Sequence, residues 1–126
     1  MTILIIEDNL VLRILIKRAF YHACRELGVA SIIMEGCGSI ASGKELARQL
    51  KPDAICLGWT MNYIPWASDI SALSLQAPVF VFGILADPDS IDLILQAGAT
   101  GFFRTRDIIS VETAKNILER ALPQSV

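Results

Sequence analysis

Five short apolar runs punctuate the chain: Thr2–Ile6, Ala30–Met34, Ala54–Leu57, Val79–Ile84 and Gly101–Phe103. Each is nearly continuous rather than alternating, which is how strands read when both of their faces are covered, as in a parallel sheet. The segments between them carry a helical period. Leu12, Ile16, Ala19, Ala23 and Leu27 form one stripe, with Arg13, Lys17 and Arg25 opposite and Gly28 as the stop. The second helix can begin at Ser39, or at Ser42 with Glu45 completing a capping box. A short third helix is predicted over about Trp66 to Leu75. Asp87-Pro88-Asp89 opens the fourth with a cap, a proline at the first helical position and an acid in the first turn; Gly98 ends it. Ser110 can cap a fifth helix with Val111, Ala114, Ile117, Leu118 and Ala121 facing inward, closed by Pro123.

Strand and helix thus alternate five times. That order predicts an α/β fold with right-handed crossovers and one parallel sheet, doubly wound, with five strands and five helices. For five strands the order 2-1-3-4-5 is expected. Residues 1–122 read as one domain, and 123–126 as a tail or the start of a linker. Strands 1 and 3 are then neighbours at the switch point, and ligands bind beyond their carboxyl ends. The residues just past the strands matter most: Glu7-Asp8-Asn9, Gly58-Trp59, Gly83 and Arg104-Thr105-Arg106.

Composition changes this picture only at its margins. The chain is 53% hydrophobic, yet no run approaches the roughly 20 apolar residues that a bilayer span needs. Met1-Thr2 leads straight into a strand-like run without a basic n-region, so no secretory leader is expected. A net charge of −2 without a basic block argues against nucleic-acid binding. Cys24, Cys37 and Cys56 sit singly in apolar or small-residue surroundings, matching neither a disulfide framework nor a zinc site. They are expected to be reduced and buried, in a cytoplasmic protein.

Two adjacent carboxylates after the first strand, Glu7 and Asp8, repel phosphate and attract a cation. That disfavours a flavin or nucleotide site, whose loop needs small residues with backbone N–H groups facing a phosphate. The plainer reading is that Asp8 or Asn9 caps the first helix.

Here the chain resembles the receiver domain of bacterial response regulators, the chemotaxis-protein type, over almost its whole length. "ILIIEDN" resembles that family's opening strand and acidic pair, and "LKPDAICLGWTM" its "KPD…LLDW.MP". "APVFVFGILAD" is similar to "PV…LTA", and "LILQAGATGFFRT" to "…AGA.DYL.KP". The resemblance implies the flavodoxin-like architecture of that family. It puts Glu7 and Asp8 on the acids that hold Mg²⁺, and Gly58 on the aspartate that accepts the phosphoryl group. Gly83 falls on the Ser or Thr that hydrogen-bonds that group, Thr105 on the lysine that neutralises it, Arg106 on the proline after it, and Phe102 on the switch aromatic.

Glycine has no side chain with which to attack phosphorus, so the resemblance implies a degenerate member, a pseudo-receiver and not an enzyme. It would signal through phosphorylation-independent contact with another signalling protein, at the face of the fourth helix, fifth strand and fifth helix; a homodimer is compatible with the same reading. Mg²⁺ is usually held by one or two carboxylates plus phosphate oxygens, so Glu7 and Asp8 alone imply weak Mg²⁺ at most and no other cofactor. Asp53 lies at the wrong end of its strand, about 16 Å from Gly58 at roughly 3.3 Å per residue. Two alternatives stay open: phosphorylation at an unconventional residue such as Thr60, and a small-molecule-binding module of flavodoxin-like architecture.

Arg104 and Arg106 flank Thr105; either one is a candidate substitute cation for Glu7 and Asp8, or both are solvated loop arginines. A cis bond before a non-proline residue costs about 2.5–4 kcal/mol, so a trans Thr105–Arg106 peptide and a rerouted chain into Asp107 are expected. Val11, Ile14, Arg18 and Tyr21 form a second face of the first helix, either a docking surface or overspill from the core. Tyr63 and Trp66 are read either as partner anchors or as cover for the emptied pocket. His22, among basic residues with no nucleophile beside it, is read as structural.

Overall fold

The computed structural model describes residues 1–59, 66–84 and 87–121, without the side chain of Trp66. Five strands, β1 (Thr2–Ile6), β2 (Ile33–Cys37), β3 (Ala54–Gly58), β4 (Val79–Gly83) and β5 (Gly101–Arg104), form one parallel sheet in the order β2-β1-β3-β4-β5. Helices α1 (Leu10–Leu27), α2 (Ile40–Leu50), α3 (Trp66–Ser74), α4 (Pro88–Gln96), α5 (Thr105–Ile108) and α6 (Val111–Ala121) connect and follow them.

The period of two in a strand sorts the core into two layers. Ile3, Ile5, Ala54, Cys56, Phe80 and Phe82 point to one face, where they meet Ile16 and Phe20 of α1 and Ile117 and Leu118 of α6. Leu4, Ile6, Ile55, Leu57, Val79 and Val81 point to the other, against Ala47 of α2, Ile70 and Leu73 of α3 and Ile94 of α4. Burying a side chain such as Phe20, Phe80 or Phe82 contributes about 1.5–3 kcal/mol. The three strands with a neighbour on each side, β1, β3 and β4, are the ones whose sequence is continuously apolar.

The edge strand β2 departs from its expected position. The apolar run Ala30–Met34 predicts it three residues early. The observed strand pairs Thr2 with Ile33 through Ile6 with Cys37. An edge strand has one partner, and here Ile33 and Glu35 are exposed while Cys37 is buried. Its sequence therefore alternates, and the apolar run marks its approach instead of its span. At the other strand ends the shifts are single residues. β3 includes Gly58 and β5 includes Arg104, while Ile84 stands outside β4, 84% exposed.

The capping chemistry is mostly as the sequence suggests. Leu12 N–H donates to Asn9 Oδ1 at 3.0 Å, so Asn9 caps α1, and Gly28 closes it in the left-handed conformation at φ 71°. Ser42 N–H donates to Ser39 Oγ at 3.1 Å, which places the start of α2 at Ser39. The Ser42–Glu45 capping box does not form, since Glu45 bonds Arg48 and Gln49 instead. Ser90 N–H donates to Asp87 Oδ1 at 3.0 Å, and Thr113 N–H to Ser110 Oγ at 3.1 Å. Among the described residues six helices stand where five are expected, because the single turn α5 precedes α6. α5 replaces the rerouted loop expected at Asp107. Ile108, fully buried, anchors it. The three cysteines are free and buried; burial pushes the Cys56 thiol up to about 12. No helix among the described residues is long and apolar enough to cross a membrane.

Candidate functional site at the carboxyl end of the sheet

β1 and β3 are neighbours, and their carboxyl ends bring Glu7 and Gly58 together. Glu7 N–H is tied to Cys37 O at 2.9 Å, which fixes the backbone just past β1. Glu7 Oε1 accepts from Asn9 N–H at 3.2 Å. The other carboxylate oxygen lies over Gly58: a β-carbon there would stand 1.9 Å from Glu7 Oε2 and 3.2 Å from Phe82 Cζ. The glycine leaves a hole at the end of β3, and the acid of β1 fills it.

Burial has a cost for that acid. Glu7 is 9% exposed, and its pKa rises from 4.5 to about 7. Desolvation is the largest cause, followed by the hydrogen bond that protonated Glu7 donates to neighbouring Asp8, with the Asn9 N–H acting in the opposite direction. Asp8 itself is exposed. This donor set suits Mg²⁺ poorly: one carboxylate points into the protein and is already hydrogen-bonded, and the ion demands near-octahedral oxygen ligands. Among the described residues no three His, Cys, Asp or Glu stand close enough to hold a metal ion.

A second glycine is filled in the same manner. Trp59 N–H donates to Phe82 O at 2.8 Å, extending the β3–β4 ladder by one bond. The indole folds across Gly83, where a β-carbon would stand 3.0 Å from Trp59 Cε3 and 3.6 Å from Phe102 Cζ. Trp59 and Phe102 meet edge-to-face, centroids 6.4 Å apart at 77°, a favoured aromatic geometry. Both rings pack against the core layer beneath α2, α3 and α4. Sequence reasoning gave Trp59 no role. The signal was present as a large aromatic adjacent to one glycine with a second glycine at the end of the next strand, but only the β3–β4 pairing makes them neighbours.

Thr105 opens α5 and carries no ammonium group. Arg104 and Arg106 on either side of it are exposed. Arg106 Nε lies 4.0 Å from Asp107 Oδ1. Among the described residues no ion pair joins either arginine to Glu7 or Asp8. α5 starts at Thr105, and Glu7 lies against Gly58. Asp53 is occupied at the opposite end of the sheet, its Oδ2 accepting from Thr2 N–H at 2.7 Å. His22 is exposed, edge-on to Tyr21. On α1, Leu10, Val11, Ile14 and Tyr21 are all more than half exposed. Thr60 and Tyr63 lie outside the described residues, as does the Trp66 side chain.

No family model matches the sequence, and no curated protein is detectably similar to it. Solved structures do match along its length. The signal receiver domain of the response regulator NarL from Mycobacterium tuberculosis is 22% identical, with 95% of this chain and 94% of that one covered at a TM-score of 0.73. The chemotaxis protein CheY4 of Vibrio cholerae is 18% identical, covering 96% and 98% at 0.74. The orphan response regulator HP1043 of H. pylori is 19% identical, covering 97% of both chains at 0.75. Strand order, helix placement and these matches agree: the chain has the fold of the response-regulator receiver domains.

Proposed function

We propose that the protein is a pseudo-receiver, a signalling module of receiver fold that works by binding another protein and not by accepting a phosphoryl group. The observation that carries this reading is the Glu7–Gly58 contact. The position corresponding to the acceptor has no side chain, and the space one would need is taken by Glu7 Oε2. The positions corresponding to the supporting hydroxyl and lysine are Gly83 and Thr105, and Trp59 covers the first of them. Three departures at one site leave no nucleophile and no neutralising ammonium; the module then acts without enzymatic chemistry and without a cofactor.

The partner surface in this reading is α4, β5 and α6, the last being the fifth helix of the sequence pattern. Leu93 and Leu95 of α4 are exposed, 63% and 42%, and each offers an apolar contact to a protein partner. Incubation with acetyl phosphate and Mg²⁺, followed by intact mass measurement, tests the central claim. An unchanged mass is expected. A stoichiometric gain of one phosphoryl group on any residue overturns it.

A further inference from the structure

Beside the plugged pocket, the β4 and β5 ends form an open cleft of about 390 Å³ lined by Ile84, Arg104, Thr105 and Arg106. Its walls follow from the local backbone. Gly83 pairs with Arg104, so Ile84 and Thr105 leave the sheet side by side. β5 passes into α5 with no loop between them, and the Arg104 side chain is not used as a cap. Three successive residues therefore turn around one concavity.

The lining combines two cationic side chains with one aliphatic side chain. Both guanidiniums are exposed, and the Arg106 side chain remains 74% accessible despite Asp107 at 4.0 Å. A contact that long is weaker than a charge-assisted hydrogen bond, which needs about 2.7–2.9 Å. Ile84, an aliphatic side chain 84% exposed, also lines the cleft. Arginine presents a planar fork of donors that matches a carboxylate in two bonds at once. The cleft volume falls within the range of sites that take a few side chains or a small ligand.

We infer that this cleft is a carboxylate-binding site that seats an acidic segment of a protein partner, with an aliphatic residue of that segment against Ile84. Isolated phosphate satisfies the arginines and leaves Ile84 in water; an acidic peptide covers both halves. Nucleic acid fits less well, since two arginines on a chain of net charge −2 do not make an extended basic track. The inference rests on the protein-binding reading above and gives that partner its chemistry.

The test is an NMR titration of the full-length chain, labelled at arginine side-chain nitrogens and isoleucine methyls. The probe is the blocked pentapeptide Glu-Glu-Leu-Glu-Glu, with inorganic phosphate and a single-stranded oligonucleotide as separate arms. Saturable shifts confined to Ile84, Arg104, Thr105 and Arg106 are expected with the peptide, with affinity reduced at least about tenfold in an Arg104→Gln/Arg106→Gln double variant. Both side chains are exposed, so the variant's amide spectrum should otherwise match the parent. Ile84→Ser should weaken the peptide and leave the response to inorganic phosphate unchanged. Absent or non-saturable shifts, shifts that survive the double variant, or equal or tighter binding of phosphate or oligonucleotide overturn the inference. The mass measurement on acetyl phosphate is independent: a phosphorylated chain would remove the pseudo-receiver reading without changing these shifts, and a negative titration would remove the cleft without adding a phosphoryl group.

Discussion

Glu7 Oε2 stands over Gly58, 1.9 Å from the point a β-carbon would occupy. The two residues therefore determine each other. Glu7 can turn inward only while position 58 is glycine, and an empty position 58 would leave a hole at the end of β3 without Glu7. The carboxylate is delivered there from the neighbouring strand, at the cost of taking a charge out of water.

That cost predicts a pH dependence. Folding raises the Glu7 pKa from 4.5 to about 7, chiefly by desolvation, so the folded state holds this proton more tightly than the unfolded one. The stabilising contribution is complete below 4.5 and lost as pH rises through about 7. Its size is of the order of 3 kcal/mol at about 1.36 kcal/mol per pH unit. Urea unfolding of the wild type and of Glu7→Gln across this window isolates it. The wild type should lose stability relative to the variant as pH rises; parallel curves would contradict the burial of the acid.

Gly58→Ala should expel the Glu7 carboxylate without unfolding the protein. The clashing atom is the end of a flexible side chain with solvent nearby, so rotation relieves it. Phe82 Cζ at 3.2 Å adds a smaller overlap. The carboxyl ¹³C titration of Glu7 should then move down toward the ordinary carboxylate range, and the pH dependence of stability should shrink. Gly58→Asp should behave alike and still take up no phosphoryl group, since no lysine or hydroxyl returns with it.

Gly83→Thr should meet more resistance. Its β-carbon would lie 3.0 Å from Trp59 Cε3, an atom in a rigid ring held against Phe102. Overpacking of this kind costs about 1–3 kcal/mol. In a Trp66→Phe background, Trp59 fluorescence should shift to the red as the indole is pushed toward water. An unchanged spectrum with unchanged stability would show that the ring is not seated on Gly83.

Lys44 and Asp69 tie α2 to α3. Asp69 is 4% exposed, and its ion pair with Lys44 partners one of its oxygens. Lys44→Met leaves a buried carboxylate without that charge, a loss of roughly 1–3 kcal/mol or more. A Lys44→Met/Asp69→Leu double variant should recover much of the loss, because an apolar pair needs no desolvated charge. Additive single and double effects in denaturant would count against the pair.

The sequence alone was enough for the sheet and its order. β1, β3 and β4 are buried on both faces, and a strand in that environment has no choice but to be continuously apolar. Gly28, Asp87 and Ser110 mark helix ends because capping is local chemistry, decided within four residues. β2 was legible as an element but misplaced, since an edge strand's register is set by its partner β1 and not by its own composition. The resemblance places Gly58, Gly83 and Thr105 where that family carries an acid, a hydroxyl and an ammonium, an expectation that residue type alone raises. What occupies the space at the two glycines was decided by the tertiary structure. Glu7 and Gly58 are 51 residues apart and Trp59 and Gly83 are 24 apart, and each pair meets only because parallel strands end at the same edge of the sheet. The same pairing put Ile84 beside Thr105. The arginines went the other way: from sequence they were free to reach Glu7 and Asp8, and with α5 starting at Thr105 they are exposed and line a cleft of their own.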